Sequence, residues 1–275
     1  MTVLLWEEAA RLPQQTDGGR GVFSHGAAVA VGSFDGPHRG HGALFSAVRE
    51  HAAASGCAPG VVTFARPVAG IRQDAGYPGD IATLAQRLAE YGRLGLAFAV
   101  VIDFSPEFSR MSGTDFLEVL RKSCGMRFVA EGADFRFGHR GACGAAELAD
   151  FARAHGISVC IPEAVSFGGE RISSSRIRNA VSAADFASAG QMLGRPFALD
   201  MSGVPLERAG DAARFSRSSV RQVLPPDGLY DVVAKLPVGS LRTRLDVGPR
   251  FLHLRGLSGN ADPRIQALEF ISNGR

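Results

Sequence analysis

The stretch VAVGSFDGPHRGHGALF, residues 29–45, decides how this chain folds. Val29, Ala30 and Val31 run into a glycine-rich turn, after which Leu44, Phe45, Val48 and Ala52 recur at helical spacing. A strand that passes through such a turn into an amphipathic helix is the opening of a β-α-β unit. The alternation continues outward from it. Short apolar runs appear at AVAVG (28–32), GVVTF (60–64), FAVVIDF (98–104), RFVAEG (127–132) and ISVCIP (157–162). They are nearly continuous rather than alternating, as expected of parallel strands covered on both faces. Helix patterns fill the gaps: HGALFSAVREHAAASG (41–56), DIATLAQRLAEYG (80–92), SGTDFLEVLRKSCG (112–125) and GAAELADFARAHG (144–156). Asp80 is expected to cap the second, with Leu84, Leu88 and Tyr91 along its stripe, and Ser112 with Asp115 to cap the third. The expected class is α/β with a Rossmann-like parallel sheet, whose ligands sit at the carboxyl ends of the strands.

A helical stretch, ERISSSRIRNAVSAADFASAGQMLGRPFAL (170–199), follows, and then the texture changes. GLYDVVAKL (228–236), SLRTRLDV (240–247) and RFLHLRGL (250–257) alternate polar and apolar residues between Pro-Gly and Gly-Pro turns. That pattern predicts a small antiparallel β-barrel, with a first domain over 1–197 and a second over 198–275. ADPRIQALEFISNGR (261–275) fits either a short helix or a last strand.

Composition narrows the class further. With 45% hydrophobic and 21% charged residues among 275, the chain reads as globular. A net charge of +3 without a concentrated basic stripe argues against a nucleic-acid partner. Cys57, Cys124, Cys143 and Cys160 form no C-x-x-C pair, which disfavours zinc and fits reduced thiols. MTVLLWEEAARLPQQ lacks the basic start of a signal peptide, and no apolar run approaches the roughly 18 residues of a membrane span. The expectation is a cytoplasmic protein without membrane contact.

Chemistry concentrates in the turn after the first of these strands. Gly32 and Gly36 permit close backbone approach, and a helix amino end offers unpaired N–H groups and partial positive charge. His38 and His41, three apart at that end, lie on one side and can reach a single anion. A lone histidine there would more simply cap the helix or pack in the core.

GSFDGPHRGH (32–41) resembles the H-x-G-H signature of nucleotidylyltransferases. VVTFARP (61–67) resembles the T-F-x-P-H-P element of the bacterial FAD synthetases, bifunctional riboflavin kinase/FMN adenylyltransferases. EGADFRFGHRGACG (131–144), ISSSRIR (172–178) and LGRPF (193–197) resemble three further elements of that family, in the same order. The resemblance implies transfer of AMP from ATP to FMN, giving FAD and pyrophosphate, with Mg²⁺ accompanying the triphosphate. It implies His38, His41, Ser174 and Arg178 as catalytic residues. It implies Gly32, Ser33, Phe34, Asp35, Gly36, Gly40, Ser173, Ser175 and Ile177 around ATP, and Phe64, Arg66, Asp134 and Phe137 around FMN. Read from the residues alone, the three serines equally cap a helix, and Phe64 and Phe137 are equally core aromatics. No carboxylate cluster marks an all-protein metal cage.

The chain also departs from the family. Arg66 and Pro67 stand where proline and histidine are usual, and a third serine replaces threonine in ISSSRIR. GLYDV (228–232) resembles a strand of the riboflavin kinase module, yet AARFSRSSVRQVLPPDG (212–228) holds no G-F-P-T-A-N run before it. Glu269 is the one candidate for a surviving kinase base, and a glutamate before Phe270 reads more simply as solvated. The expectation is an FMN adenylyltransferase without riboflavin kinase activity. A nucleotidylyltransferase for another phosphorylated acceptor and a non-catalytic flavin- or nucleotide-binding regulator are the competing readings.

Overall fold

Strand β2 (Ala27–Val31) is buried at every position, and the rest of its unit is arranged to cover it. The computed structural model describes residues 1–12, 21–72, 76–209, 212–256 and 264–272. Its contacts define two compact units, Met1–Asp74 with Arg87–Ser166, and Ala75–Gln86 with Phe167–Arg275.

In the first unit, β1 (Thr2–Leu5), β2, β3 (Ala58–Phe64), β4 (Phe98–Ile102), β5 (Met126–Ala130) and β6 (Ser158–Cys160) form one parallel sheet. Its order is β1-β4-β3-β2-β5-β6. The chain moves outward from β2 through β3 and β4 on one side and through β5 and β6 on the other. The carboxyl ends of β2 and β5 therefore flank the point where strand order reverses, the usual ligand crevice of such sheets.

Alternate β2 residues feed two cores. Val29 and Val31 pack with Trp6 and Ala9 of α1 (Trp6–Ala10), Phe116, Leu117 and Leu120 of α6 (Gly113–Ser123), and Leu148 and Ala152 of α7 (Ala145–His155). Ala28 and Ala30 pack with Leu44, Phe45 and Val48 of α2 (Arg39–Ser55) and Tyr91 of α4 (Leu84–Arg93). Burying each such valine stabilises the fold by roughly 1.5–3 kcal/mol. Short α3 (Val68–Arg72) and α5 (Pro106–Ser109) complete the unit's helices among the described residues.

Two details differ from the sequence reading and a third agrees with it. Helix α4 starts at Leu84, capped not by Asp80 but by Thr83, whose Oγ1 accepts the Gln86 N–H at 3.2 Å while Gln86 Oε1 accepts the Thr83 N–H at 3.0 Å. Asp80 instead accepts the Tyr77 hydroxyl at 2.5 Å. Strand β1 was hidden in MTVLL: it pairs with β4 at the sheet edge, where Val3 and Leu5 stay about half exposed and carry no clear burial pattern. The Ser112 cap of α6 is present, accepting the Asp115 N–H at 3.1 Å and donating to its carboxylate at 2.7 Å.

In the second unit a short ribbon, β7 (Ser166–Phe167) and β8 (Glu170–Arg171), leads into α8 (Ser174–Ser182) and α9 (Phe186–Leu193). An antiparallel sheet follows, built from β9 (Ala198–Asp200), β10 (Leu206–Ala209), β11 (Ala212–Ser216), β12 (Gly228–Lys235), β13 (Ser240–Val247), β14 (Phe251–Leu254) and β15 (Ala267–Phe270). Its order is β10-β11-β14-β13-β12-β15-β9, and it curls into a half-barrel, in line with the small antiparallel barrel expected. The end of the chain resolves as strand: β15 lies between β12 and β9. Residues 257–263 and 273–275, parts of RFLHLRGL and of the final segment, fall outside the described residues. Phe270 stacks on Phe186 of α9 at 4.4 Å between ring centroids and meets Phe197 and Tyr230, an aromatic knot joining helix to sheet.

Gly60 shows how tightly the parallel sheet is filled. A Cβ there would lie 2.3 Å from the Phe98 ring, which is fully buried and edge-on to Phe23. Gly60→Ala is expected to lower unfolding free energy by about 1–3 kcal/mol through overpacking, measurable by urea titration.

Candidate active site

The turn from β2 to α2 is shaped from beneath. Gly32 is tight because a Cβ would sit 3.0 Å from the Phe34 ring. Phe34 itself takes φ +42°, a left-handed conformation rare for a non-glycine residue, and Gly36 follows at +58°. The Phe34 ring turns into the core, 4% exposed, edge-on to His41 and Phe45 at 5.0 Å each. Any contact of Phe34 with a nucleotide is therefore through its backbone, and its ring is a platform for His41. Asp35 and His38 are buried, while Ser33 and Gly40 are half-buried.

His38 is the N-cap of α2, and the two histidines cap each other. His38 Nδ1 accepts the His41 N–H at 3.3 Å, and His41 Nδ1 accepts the His38 N–H at 3.4 Å. This is the reciprocal geometry of a capping box, with imidazoles in place of hydroxyl and carboxylate. Their rings stack at 3.5 Å with 17° between planes. An Nδ1 that accepts a hydrogen bond carries no proton, so each neutral ring holds its proton on Nε2 and acts there as a donor. Capping and anion binding, competing readings of a lone histidine, are thus compatible, since the cap engages Nδ1 and not Nε2.

Beside this turn, at the carboxyl ends of β2 to β5, lies a cavity of about 810 Å³. That is room for a cofactor-sized molecule. The structure brings Phe64, Asp134 and Phe137 onto its walls together with Gly32 and Ser33. Phe104, Phe108 and Phe135, which the sequence did not single out, line it as well. Phe135 stacks on Phe137 at 5.2 Å, and an antiparallel bridge between Phe137 and Cys143 closes the loop that carries both. Arg136 and Arg140 supply cationic groups to the lining. Arg66 is exposed and absent from the lining, its guanidinium 3.5 Å from the Gly70 carbonyl.

The serine cluster belongs to the second unit. Ser173 caps α8, accepting the Arg176 N–H at 3.3 Å. Ser174 is half-buried and Ser175 exposed, whereas Ile177 is a core residue with no exposed surface. Arg178 is buried; its Nε donates to the Gly79 carbonyl at 3.0 Å and its guanidinium lies 4.7 Å over the Tyr77 ring. In the antiparallel sheet, Glu269 pairs with Lys235 at 2.9 Å, as a solvated surface residue does. No group of three or more His, Cys, Asp or Glu among the described residues is placed to hold a metal ion.

Two buried polar residues were missed by sequence reasoning. Arg87, with no exposed surface, donates to the Ser33, Phe64 and Ala65 carbonyls at 3.0, 2.9 and 2.8 Å and to Thr63 Oγ1 at 3.2 Å. Its position was legible, three residues after Leu84 and four before Tyr91 on the inward stripe, but its charge suggested solvent. Glu131, 3% exposed at the end of β5, accepts the Val31 N–H at 2.5 Å and so ties the two strands at the switch point.

A parallel sheet whose switch point carries a glycine turn, a helix amino end and paired imidazoles defines a nucleotide-binding α/β protein. The family model for FAD synthetase matches residues 22–176, more than half the chain, and the chain belongs to that family of nucleotidyltransferases. The bifunctional riboflavin kinase/FMN adenylyltransferase of Escherichia coli K12 is 29% identical over 212 residues, 75% of this chain and 67% of that protein. The protein of the same name from Pseudomonas fluorescens is 32% identical over 177 residues, covering 62% of this chain and 55% of its own. A crystal structure described as a macrolide-efflux protein from Streptococcus pneumoniae shares the fold, with a TM-score of 0.75, 24% identity and 98% of both chains covered.

Two measurements follow from the buried groups. His38→Ala is expected to lose about 0.5–2 kcal/mol of stability with the cap, while His38→Asn, which keeps a capping acceptor, loses little; urea unfolding of both compares them. Burial pushes the Glu131 carboxyl well above its ordinary value of 4.5, against the opposing effect of the Val31 N–H. The folded protein keeps this proton where the unfolded chain releases it, so stability is fullest below the ordinary value and falls as pH rises towards the raised one. Glu131→Gln, which retains an oxygen for Val31, is expected to raise stability at neutral pH and flatten that decline.

Proposed function

We propose that this protein is an FMN adenylyltransferase that forms FAD and pyrophosphate from ATP and FMN. The observation that carries the reading is the reciprocal His38–His41 cap, which puts an Nε2 proton on each ring at the amino end of α2. Family membership and the neighbouring aromatic cavity with Arg136 and Arg140 in its lining support a flavin that bears a phosphate.

No protein nucleophile takes part in this reaction. An oxygen of the FMN phosphate attacks the α-phosphorus of ATP, a P–O bond forms, and the bond to the β-phosphate bridging oxygen breaks, its electron pair leaving with pyrophosphate. The chain's task is to orient the two substrates and stabilise charge that grows on the phosphate oxygens. His38 and His41 donate from Nε2 to those oxygens, and the turn around Gly32 and Gly36 brings backbone N–H groups close. Neutral donors suit this task because they need no proton transfer. Ser174 and Arg178, with Ser173 and Ser175, are assigned to the distal phosphates from the family motif. Mg²⁺ enters with ATP as part of the substrate. Phe64, Phe137 and Phe135 hold the isoalloxazine, with Asp134 as a polar contact.

Residues 1–197 act as the adenylyltransferase module in this reading. Residues 198–275 are a riboflavin kinase-derived module without kinase chemistry, supported by the missing Pro-Thr-Ala-Asn run in 212–228 and the Glu269–Lys235 pair. The efflux description of the Streptococcus pneumoniae protein is not carried over, since at 24% identity the likeness concerns the fold. Among the described residues no helix is long and apolar enough to cross a membrane.

Incubation of the purified protein with Mg²⁺-ATP and either FMN or riboflavin, followed by flavin chromatography, tests the assignment. FAD from FMN and no FMN from riboflavin is the expected result. FMN from riboflavin would show that the second module retains its kinase, and no turnover of either flavin would favour a binding regulator. His41→Ala is expected to reduce kcat about a hundred- to thousandfold, roughly 2.7–4 kcal/mol of transition-state stabilisation.

A further inference from the structure

A turn binds an anion only when its N–H groups, and not its carbonyl oxygens, face the ligand. In a planar trans peptide the C=O of one residue and the N–H of the next point in opposite directions. Fixing one therefore aims the other.

The Ser33 carbonyl is fixed from the interior, accepting Arg87 Nη1 at 3.0 Å and the Thr63 hydroxyl at 3.3 Å. Both donors belong to residues with no exposed surface. The Phe34 N–H of the same peptide is thereby directed away from them, and Phe34 is held at φ +42°. A strained backbone persists only where its surroundings over-determine it. Here the surroundings are the buried Phe34 ring on one side and the guanidinium on the other. Arg87 also grips the Phe64 and Ala65 carbonyls at 2.9 and 2.8 Å, which joins the end of β3 to the turn. All four of its hydrogen bonds run to neutral oxygens, and its Nε finds no acceptor among the described residues. A buried cation so arranged is a poor choice for stability alone and a sound one beneath a site for polyanions.

We propose that Arg87 is a positioning residue for the nucleotide polyphosphate: by holding the Ser33 carbonyl inward, it turns the Phe34 N–H of the β2–α2 turn towards the phosphates. The proposal rests on the reading that phosphate is bound at this turn, and pyrophosphate, the released product, is the probe that tests it without turnover.

The full chain is compared with Arg87→Ala, Arg87→Lys and Thr63→Val by calorimetric titration with Mg²⁺-pyrophosphate, by KM for ATP and for FMN, and by melting temperature. Arg87→Ala is expected to weaken pyrophosphate binding about tenfold or more, the usual scale for a charge-assisted hydrogen bond. KM for ATP should rise further than KM for FMN. Arg87→Lys should recover part of the affinity, because an ammonium cannot span the same acceptors. Thr63→Val should shift affinity in the same direction by less. A folded Arg87→Ala protein with pyrophosphate affinity within about twofold of the parent overturns the proposal, even if its melting temperature falls. Should Arg87→Ala not fold, unchanged affinity in both other variants overturns it equally. A parent protein that does not bind pyrophosphate overturns both the proposal and the phosphate site. A parent that binds pyrophosphate but makes no FAD, with affinity still lost on Arg87→Ala, sinks the reaction and leaves the positioning role standing.

Discussion

A strand covered on both faces has nowhere to place a functional side chain except at its ends, and β2 is such a strand. Its small residues, Ala28 and Ala30, meet α2 and α4, while Val29 and Val31 reach the opposite core. Two-sided burial fixes the register of β2 against β3 and β5, because a one-residue slip would exchange the alanines for the valines. The chain then leaves the sheet at the place where strand order reverses. From this constraint come the narrow turn at Gly32, the buried Phe34 ring and the direction in which α2 departs. Stability and site geometry share the same residues over this short span.

The turn itself carries a buried acidic residue, Asp35, beside its two histidines. His38 and His41, held through Nδ1, are Nε2 donors when neutral, and the guanidinium of Arg87 is buried beneath the Ser33 carbonyl. Fixed dipoles and neutral donors need not reorganise when charge develops on a phosphate, which is the condition for electrostatic stabilisation of a transition state. The cavity beside the turn follows a different logic, with aromatic walls and arginines in its lining. Its aromatic residues come from the end of β3, from the β4–β5 connection that includes α5 and α6, and from the loop after β5, so segments far apart in the chain build its walls.

Much of this was legible beforehand where periodicity and composition agreed. The runs at 28–32, 60–64, 98–104 and 127–132 became strands because continuous Val, Ile and Phe leave few alternatives, and SLRTRLDV became β13 without adjustment. The failures have local causes. Asp80 and Thr83 both suit a helix start, and Thr83 won because it adjoins Leu84, where the inward stripe begins. MTVLL carries four strand residues at an edge, too few and too exposed to show a pattern. Arg87 and Glu131 were passed over because charge implies solvent, although both occupy positions whose neighbours in the pattern are buried. Phe104 and Phe108 join Phe64 only through the folded topology, which no spacing in the chain encodes.

The mutual cap of the two imidazoles couples helix formation to the orientation of both rings. Each ring's proton is placed by a backbone N–H belonging to the other residue. Exchange of either side chain removes its own acceptor from the cap and its own Nε2 donor, but leaves in place the backbone N–H that sets its companion's tautomer. The helix they start therefore orients both imidazoles in the same step that closes its first turn.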